Sequence, residues 1–143
     1  MRFLLDVNLL IATLDPDHVH HEVALNWFND IGSRAWATSP IIQNGVVRIL
    51  GAASYAAIPF GCGEVADLLA TWCAAPEHEF WGDDISLLDH RLVDRTRLTS
   101  PGRITDSYLL ALAVARGGQL ATLDRRLSPG AVAGGEQALH LIE

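Results

Sequence analysis

Phe3-Leu4-Leu5-Asp6-Val7-Asn8-Leu9-Leu10 is where the fold declares itself. Three apolar residues in a row, too few for a helix, read as a short strand over 2–6 buried on both faces. The run ends on a carboxylate, and residues 7–13 then carry a helical apolar pattern that Asp15-Pro16 closes. The pattern returns near the other end of the chain, where Leu120-Ala121-Thr122-Leu123 stops at Asp124. Between them, Asp106 stands at the start of the apolar stretch Tyr108–Ala115. A buried aspartate costs several kcal/mol unless it is paired or meets a cation. Taken singly, Asp106 reads as a helix-dipole partner and Asp124 as a turn residue with a surface ion pair. Three carboxylates at the ends of buried segments instead suggest one oxygen-rich pocket, of the hard kind that suits magnesium or manganese.

Working outward, strands alternate with helices. Residues 18–31 have a helical spacing. Ala35–Thr38 reads as a strand, and Thr38-Ser39-Pro40 supplies a cap and first-turn proline for a helix to about Ala53. A further helix is expected over 63–74, a strand over Glu79–Gly82, and a helical turn over Ile85–Asp89 with Asp83 and Asp84 as its caps. Residues 91–103 hold four of the arginines and read as exposed. Thr105 is expected to cap an apolar, central helix to about Arg116, stopped by Gly117-Gly118. Gln119–Leu123 and Ala138–Ile142 close the series as strands. This is one α/β domain spanning 1–143, with a parallel sheet covered on both faces and sites expected outside the strands' carboxyl ends.

The 143 residues are half apolar and suffice for one core. The formal net charge is −7, with all ten basic residues arginine and no lysine. That balance argues against nucleic-acid binding by bulk charge, and it removes any mechanism that needs a catalytic lysine. A receiver-type signalling domain, which also gathers acids at a sheet edge but needs a lysine, is excluded on that ground. No apolar run approaches the ~20 residues that cross a bilayer. The start Met1-Arg2-Phe3-Leu4-Leu5-Asp6 is too short and acidic for a signal peptide, so a cytoplasmic protein without membrane attachment is expected. Cys62 and Cys73 have no CxxC spacing and indicate neither a disulfide framework nor zinc. Gly61-Cys62-Gly63-Glu64-Val65-Ala66 imitates a dinucleotide fingerprint, but Tyr55–Phe60 before it contains Pro59 and makes a poor central strand. His18, His20 and His21 read as a solvated face, and Trp27, Trp36, Trp72 and Trp81 as core.

Leu4-Leu5-Asp6-Val7-Asn8-Leu9-Leu10 resembles the opening motif of PIN domains, Thr105-Asp106-Ser107-Tyr108-Leu109-Leu110-Ala111 their second acidic motif, and Leu120-Ala121-Thr122-Leu123-Asp124-Arg125 their third. Trp36-Ala37-Thr38-Ser39-Pro40 and Asn44-Gly45-Val46-Val47-Arg48 fit between them, so the resemblance spans the chain. Within PIN domains it is most similar to the VapC toxins of bacterial toxin–antitoxin pairs. The resemblance implies a three-layer α/β/α PIN-like domain with a central, mostly parallel sheet. It implies a metal-dependent endoribonuclease, using Mg²⁺ or, as a substitute, Mn²⁺, held inactive by a VapB-type antitoxin and forming a homodimer. Carried over residue by residue, Asp6 and Asp106 become direct metal ligands. Asp124 becomes a ligand or the holder of a bound water, Asn8 a support for Asp6, and Thr122 a support near Asp124. The family usually has Glu where this chain has Gln43, which we count with the catalytic set. Its missing charge favours a single metal and leaves open a catalytically weakened module that acts by binding RNA or protein. Arg48, Arg95, Arg97, Arg103, Arg116 and Arg125 are candidates for an RNA path.

Overall fold

Phe3, Leu4 and Leu5 are all buried although they alternate between the two faces of a strand, which requires a sheet covered on both sides. The computed structural model, which describes residues 1–52, 55 and 60–143, places this strand, β1 (Phe3–Leu5), at the centre of a five-stranded sheet. The others are β2 (Trp36–Thr38), β3 (His78–Phe80), β4 (Gln119–Thr122) and β5 (Leu139–Leu141), in the order β3-β2-β1-β4-β5. Every pairing is parallel, with Leu4 opposite Ala37 on one side and Leu120 on the other.

Among the described residues, six helices flank the sheet: α1 (Val7–Leu14), α2 (His21–Asp30), α3 (Pro40–Leu50), α4 (Cys62–Cys73), α5 (Ile104–Ala115) and α6 (Gly135–Ala138). α1 packs on α2 and α3, while α5 lies against β1, β4 and α6. The chain walks from β1 through β2 to β3 in one direction, then returns to lay β4 and β5 on the far side of β1. The order therefore reverses between β1 and β4, and at such a reversal the loops leaving the two strands part and open a crevice. Asp6 follows β1 and Asp124 closely follows β4.

α5 is buried from Leu109 to Ala113, as its uninterrupted apolar sequence requires. It ends where expected. Gly117 takes φ +70°, with Gly117 N–H donating to Val114 O at 3.1 Å and Gly118 N–H to Ala113 O at 2.9 Å. Trp27, Trp36 and Trp81 are buried, and Trp72 packs at the core's edge.

Local details depart from the sequence reading. α2 begins at His21 rather than residue 18, because residues 18–20 are spent in a turn closed by His21 N–H to His18 O. Thr105 does not cap α5. A 3-10 turn over Pro101–Arg103 runs straight into the helix, so it has already begun two residues earlier. Ser39 makes no cap on α3, and its buried hydroxyl has no partner among the described residues. Asp83 takes that role from a distance, accepting from Ile41 N–H at 3.0 Å and from Tyr108 Oη at 3.1 Å. Asp83 and Asp84 thus cap nothing over Ile85–Asp89, which forms a turn and no helix; Asp84 instead pairs with Arg116 at 3.0 Å. α3 ends at Leu50, while Ala53, where the sequence put its end, and most of the poor strand before Phe60 lie outside the described residues.

Candidate active site

Asp6 is held from two sides. As the N-cap of α1 its Oδ1 accepts Val7 N–H at 2.8 Å, and its Oδ2 accepts the Thr122 hydroxyl at 2.8 Å. Thr122 ends β4 and is wholly buried, and its Oγ1 also accepts Asp124 N–H at 3.0 Å. One hydroxyl therefore ties the end of β1 to the loop after β4 across the crevice. The sequence reading put Thr122 beside Asp124 alone; it serves both acids. Asp124 is turned toward its own loop, with Oδ1 accepting Arg126 N–H at 2.9 Å and lying 3.8 Å from Arg126 Nε.

Asp106 enters from the first turn of α5 and is partly buried. Its carboxyl is pushed up to about 6, first by burial and then by the negative charge of Asp6 and Asp124, with Arg103 pulling weakly the other way. Asp6 is also raised, chiefly by burial, against the lowering effect of its bonds to Thr122 and Val7. The three carboxylates thus share one field that nearby cations do not offset. The raised proton affinities of Asp6 and Asp106 mark a place where a cation is favoured. Their hard oxygens match magnesium or manganese. Among the described residues, no three His, Cys, Asp or Glu side chains already stand close enough to cage an ion.

An open cavity of about 480 Å³ lies against Asp6 and Asp106, walled by Asn8, Asn44, Arg48 and Thr105 among others. Asn8 is exposed there and makes no hydrogen bond to Asp6, so Val7 N–H and Thr122 do the supporting expected of it. Gln43 is not brought to this cavity. Its Nε2 donates to Thr38 Oγ1 at 3.0 Å, and it lines a neighbouring groove between α3 and α4 beside Cys73, which shares Asn44 and Arg48 with the acid cavity. The reason is helical phase. Ile42, Val46 and Leu50 face the core at four-residue intervals, which leaves Asn44, Gly45 and Arg48 toward the acids and Gln43 away from them. That interval was readable in the sequence, and it would have chosen Asn44 over Gln43 as the wall residue. Of the six candidate arginines, Arg48 lines the acid cavity, Arg97 and Arg103 line an adjoining one, and Arg116 is engaged with Asp84.

A family model for the PIN domain matches residues 3–131. The chain belongs to the PIN-domain family. Ribonuclease VapC44 of Mycobacterium tuberculosis is 46% identical to it over 134 residues, 94% of each chain. Ribonuclease VapC39 of the same organism is 40% identical over 94% of this chain and 96% of its own. Within the PIN family the chain therefore groups with the VapC proteins. Two solved structures share the fold at 13% identity. One is VapBC2 of Rickettsia felis, bound to a fragment of its promoter DNA, with a TM-score of 0.61 and full coverage of both chains. The other is Mycobacterium tuberculosis VapC20, a toxin that cleaves the sarcin–ricin loop, with a TM-score of 0.62 over 92% of this PIN chain and 96% of its own.

Proposed function

We propose that this PIN-domain chain is the toxin of a type II toxin–antitoxin pair, an endoribonuclease that hydrolyses RNA phosphodiester bonds with Mg²⁺, Mn²⁺ serving as a substitute. The observation that carries the reading is the shared negative field of Asp6, Asp106 and Asp124 at the reversal of strand order, with Asp6 and Asp124 joined through Thr122. Names of relatives at 46% and 40% identity supply the substrate class.

Asp6 and Asp106 would hold the cation, with Asp124 as the third carboxylate. Gathering them takes rotation of the Asp106 and Asp124 side chains, because Asp6 is fixed by its two hydrogen bonds. When bound, the ion supplies charge that offsets the phosphate and makes an attacking water easier to deprotonate. The chain's own groups do the rest. Thr122 keeps the Asp6 carboxylate aimed, and its hydroxyl is held for that by its place inside the sheet. The Asn8 and Asn44 amides and the Arg48 guanidinium stand on the cavity wall, where they orient the RNA backbone. A VapB-type antitoxin would silence the enzyme, and two copies would form a homodimer in the cytoplasm. No helix among the described residues is long and apolar enough to cross a membrane.

The alternative of a weakened, binding-only module rested on Gln43. That residue is engaged with Thr38 outside the acid cavity, so its lack of charge is no argument against catalysis there.

The test is cleavage of a structured RNA with Mg²⁺ and with EDTA, by the parent protein, Asp6→Ala and Asp106→Ala. Cleavage by the parent with Mg²⁺ alone, lost in both variants, is expected. Equal cutting by all three, or cutting that survives EDTA, overturns the site assignment.

A further inference from the structure

On the other side of Asp106, α5 borders a second cavity of about 560 Å³. Thr105 and Asp106 face the acid cavity, whereas Ile104 and Ser107 face this one, so the two are separated by a single helical turn. Their chemistry is opposite. The guanidiniums of Arg97 and Arg103 and the hydroxyls of Thr99, Ser100, Ser107 and Ser128 line the second cavity, and no carboxylate does. In a chain of net charge −7 such a concentration of cations and donors is out of keeping with the bulk.

Two details argue against an accidental surface hollow. Ser107 is 7% exposed, and its hydroxyl, which makes no side-chain hydrogen bond among the described residues, stays open to solvent. A hydroxyl within a helix either bonds back to the carbonyl four residues earlier, as Thr13 does to Leu9 O at 2.8 Å, or points outward. Ser107 does not bond back, and its free donor borders the cavity. Opposite it, the Arg97 guanidinium lies over Gly130, where a Cβ would come within 2.9 Å of Nη2. With no side chain there, Gly130 leaves that space to the guanidinium. Arg103 is steadied by donating to Arg126 O.

We propose that this cavity seats a phosphate of the RNA strand flanking the one to be cleaved, with Arg97 and Arg103 meeting the anion and the Ser107 hydroxyl donating to it. The inference rests on the ribonuclease reading and deepens it. RNA is favoured over an acidic protein segment because the cavity adjoins the acid site along the same helix turn. A strand crossing from one to the other would offset the repulsion of its backbone by the three aspartates. Arginine's planar fork suits a phosphate, and a hydroxyl donor fits its remaining oxygens.

The test is fluorescence anisotropy of a labelled single-stranded RNA in EDTA, where binding is read without cleavage, on the parent protein, Arg97→Ala, Ser107→Ala and Arg91→Ala. Arg91 is exposed and already paired with Asp89 at 2.9 Å, so it serves as the charge control. Arg97→Ala should weaken binding about tenfold and flatten the plot of log affinity against log salt by about 0.7. Ser107→Ala should weaken binding severalfold with no loss of melting temperature, a split that a purely structural serine would not give. Arg91→Ala should stay within about twofold of the parent. If Arg97→Ala and Ser107→Ala both bind like the parent, the subsite is refuted, while parental cleavage of RNA leaves the ribonuclease reading standing. If the parent neither binds nor cuts RNA, both fall. If the variants lose affinity for an acidic antitoxin peptide and keep RNA, the occupant is protein and the proposal is overturned.

Discussion

Replacing Asp106 with Asn should make the chelated protein more stable at neutral pH and leave it unchanged in acid. The Asp106 carboxyl is raised from 3.8 to about 6, by burial and by the charges of Asp6 and Asp124. Below pH ~4 the group is protonated in both the folded and unfolded chain and contributes nothing. Between pH ~4 and ~6 the folded state binds more protons than the unfolded one, so stability falls as pH rises. Above pH ~6 the full penalty is present. A gap of about two pH units corresponds to ~3 kcal/mol at most. Asp106 is only partly buried, and solvent screening reduces this to ~1–1.5 kcal/mol. For a chain of this size that is about 3–6 °C in melting temperature. The assay is thermal unfolding in EDTA of the parent and Asp106→Asn at pH 4 and pH 7.5. The account predicts coincident melts at pH 4 and a higher melt for the variant at pH 7.5. Adding Mg²⁺ should then raise the parent and not the variant. An Asp106→Asn protein that melts lower than the parent at pH 7.5, or differs equally at both pH values, would refute the shared field.

Thr122→Val should cost about 2–3 kcal/mol in urea unfolding, because it takes the partner from Asp6 Oδ2, in a buried carboxylate, and from the Asp124 N–H; a loss below ~0.5 kcal/mol would contradict the tie between the strands. Gln43→Glu should leave RNA cleavage within about threefold and lower stability by ~1 kcal/mol, since it removes the donor to Thr38. Cleavage seen only in the Glu form would instead establish the weakened, binding-only reading. Asp83→Ala should cost about 1–2 kcal/mol by uncapping α3 and freeing Tyr108, measured by thermal unfolding with retained RNA binding; an unchanged melt would sink that role.

What the sequence made legible was set by local rules. The apolar run ending at Asp6, the buried α5 and the Gly117-Gly118 stop all depend on neighbours within a turn or two, and each stands within a residue or two of its expected place. The approach of Asp6 to Asp124 was anticipated from strand ends, but its agent, the Thr122 hydroxyl, acts across 116 residues and needed the β1–β4 pairing. Caps failed for the same reason. Ser39 and Thr105 look like caps by local chemistry, yet a distant Asp83 and an upstream 3-10 turn supplied the ends of their helices. Gln43 was chosen by motif position, whereas the helical phase of α3 puts Asn44 and Arg48 on the acid cavity's wall and Gln43 on the groove beside it. The arginine-rich stretch 91–103 flagged Arg97 and Arg103 along the chain, but the cavity they share with Ser107 is closed by the distant Ser128–Ala131 segment, which only the fold brings beside them.

The most direct test of the acid cluster is a Mn²⁺ titration at pH 7, followed by the loss of the free ion's electron paramagnetic resonance signal, on the parent, Asp6→Ala and Asp106→Asn. The parent should bind saturably and each variant at least about tenfold more weakly, as expected when a charged ligand to the ion is removed. Equal binding by all three proteins, or none by the parent, would contradict a cation site built from these carboxylates.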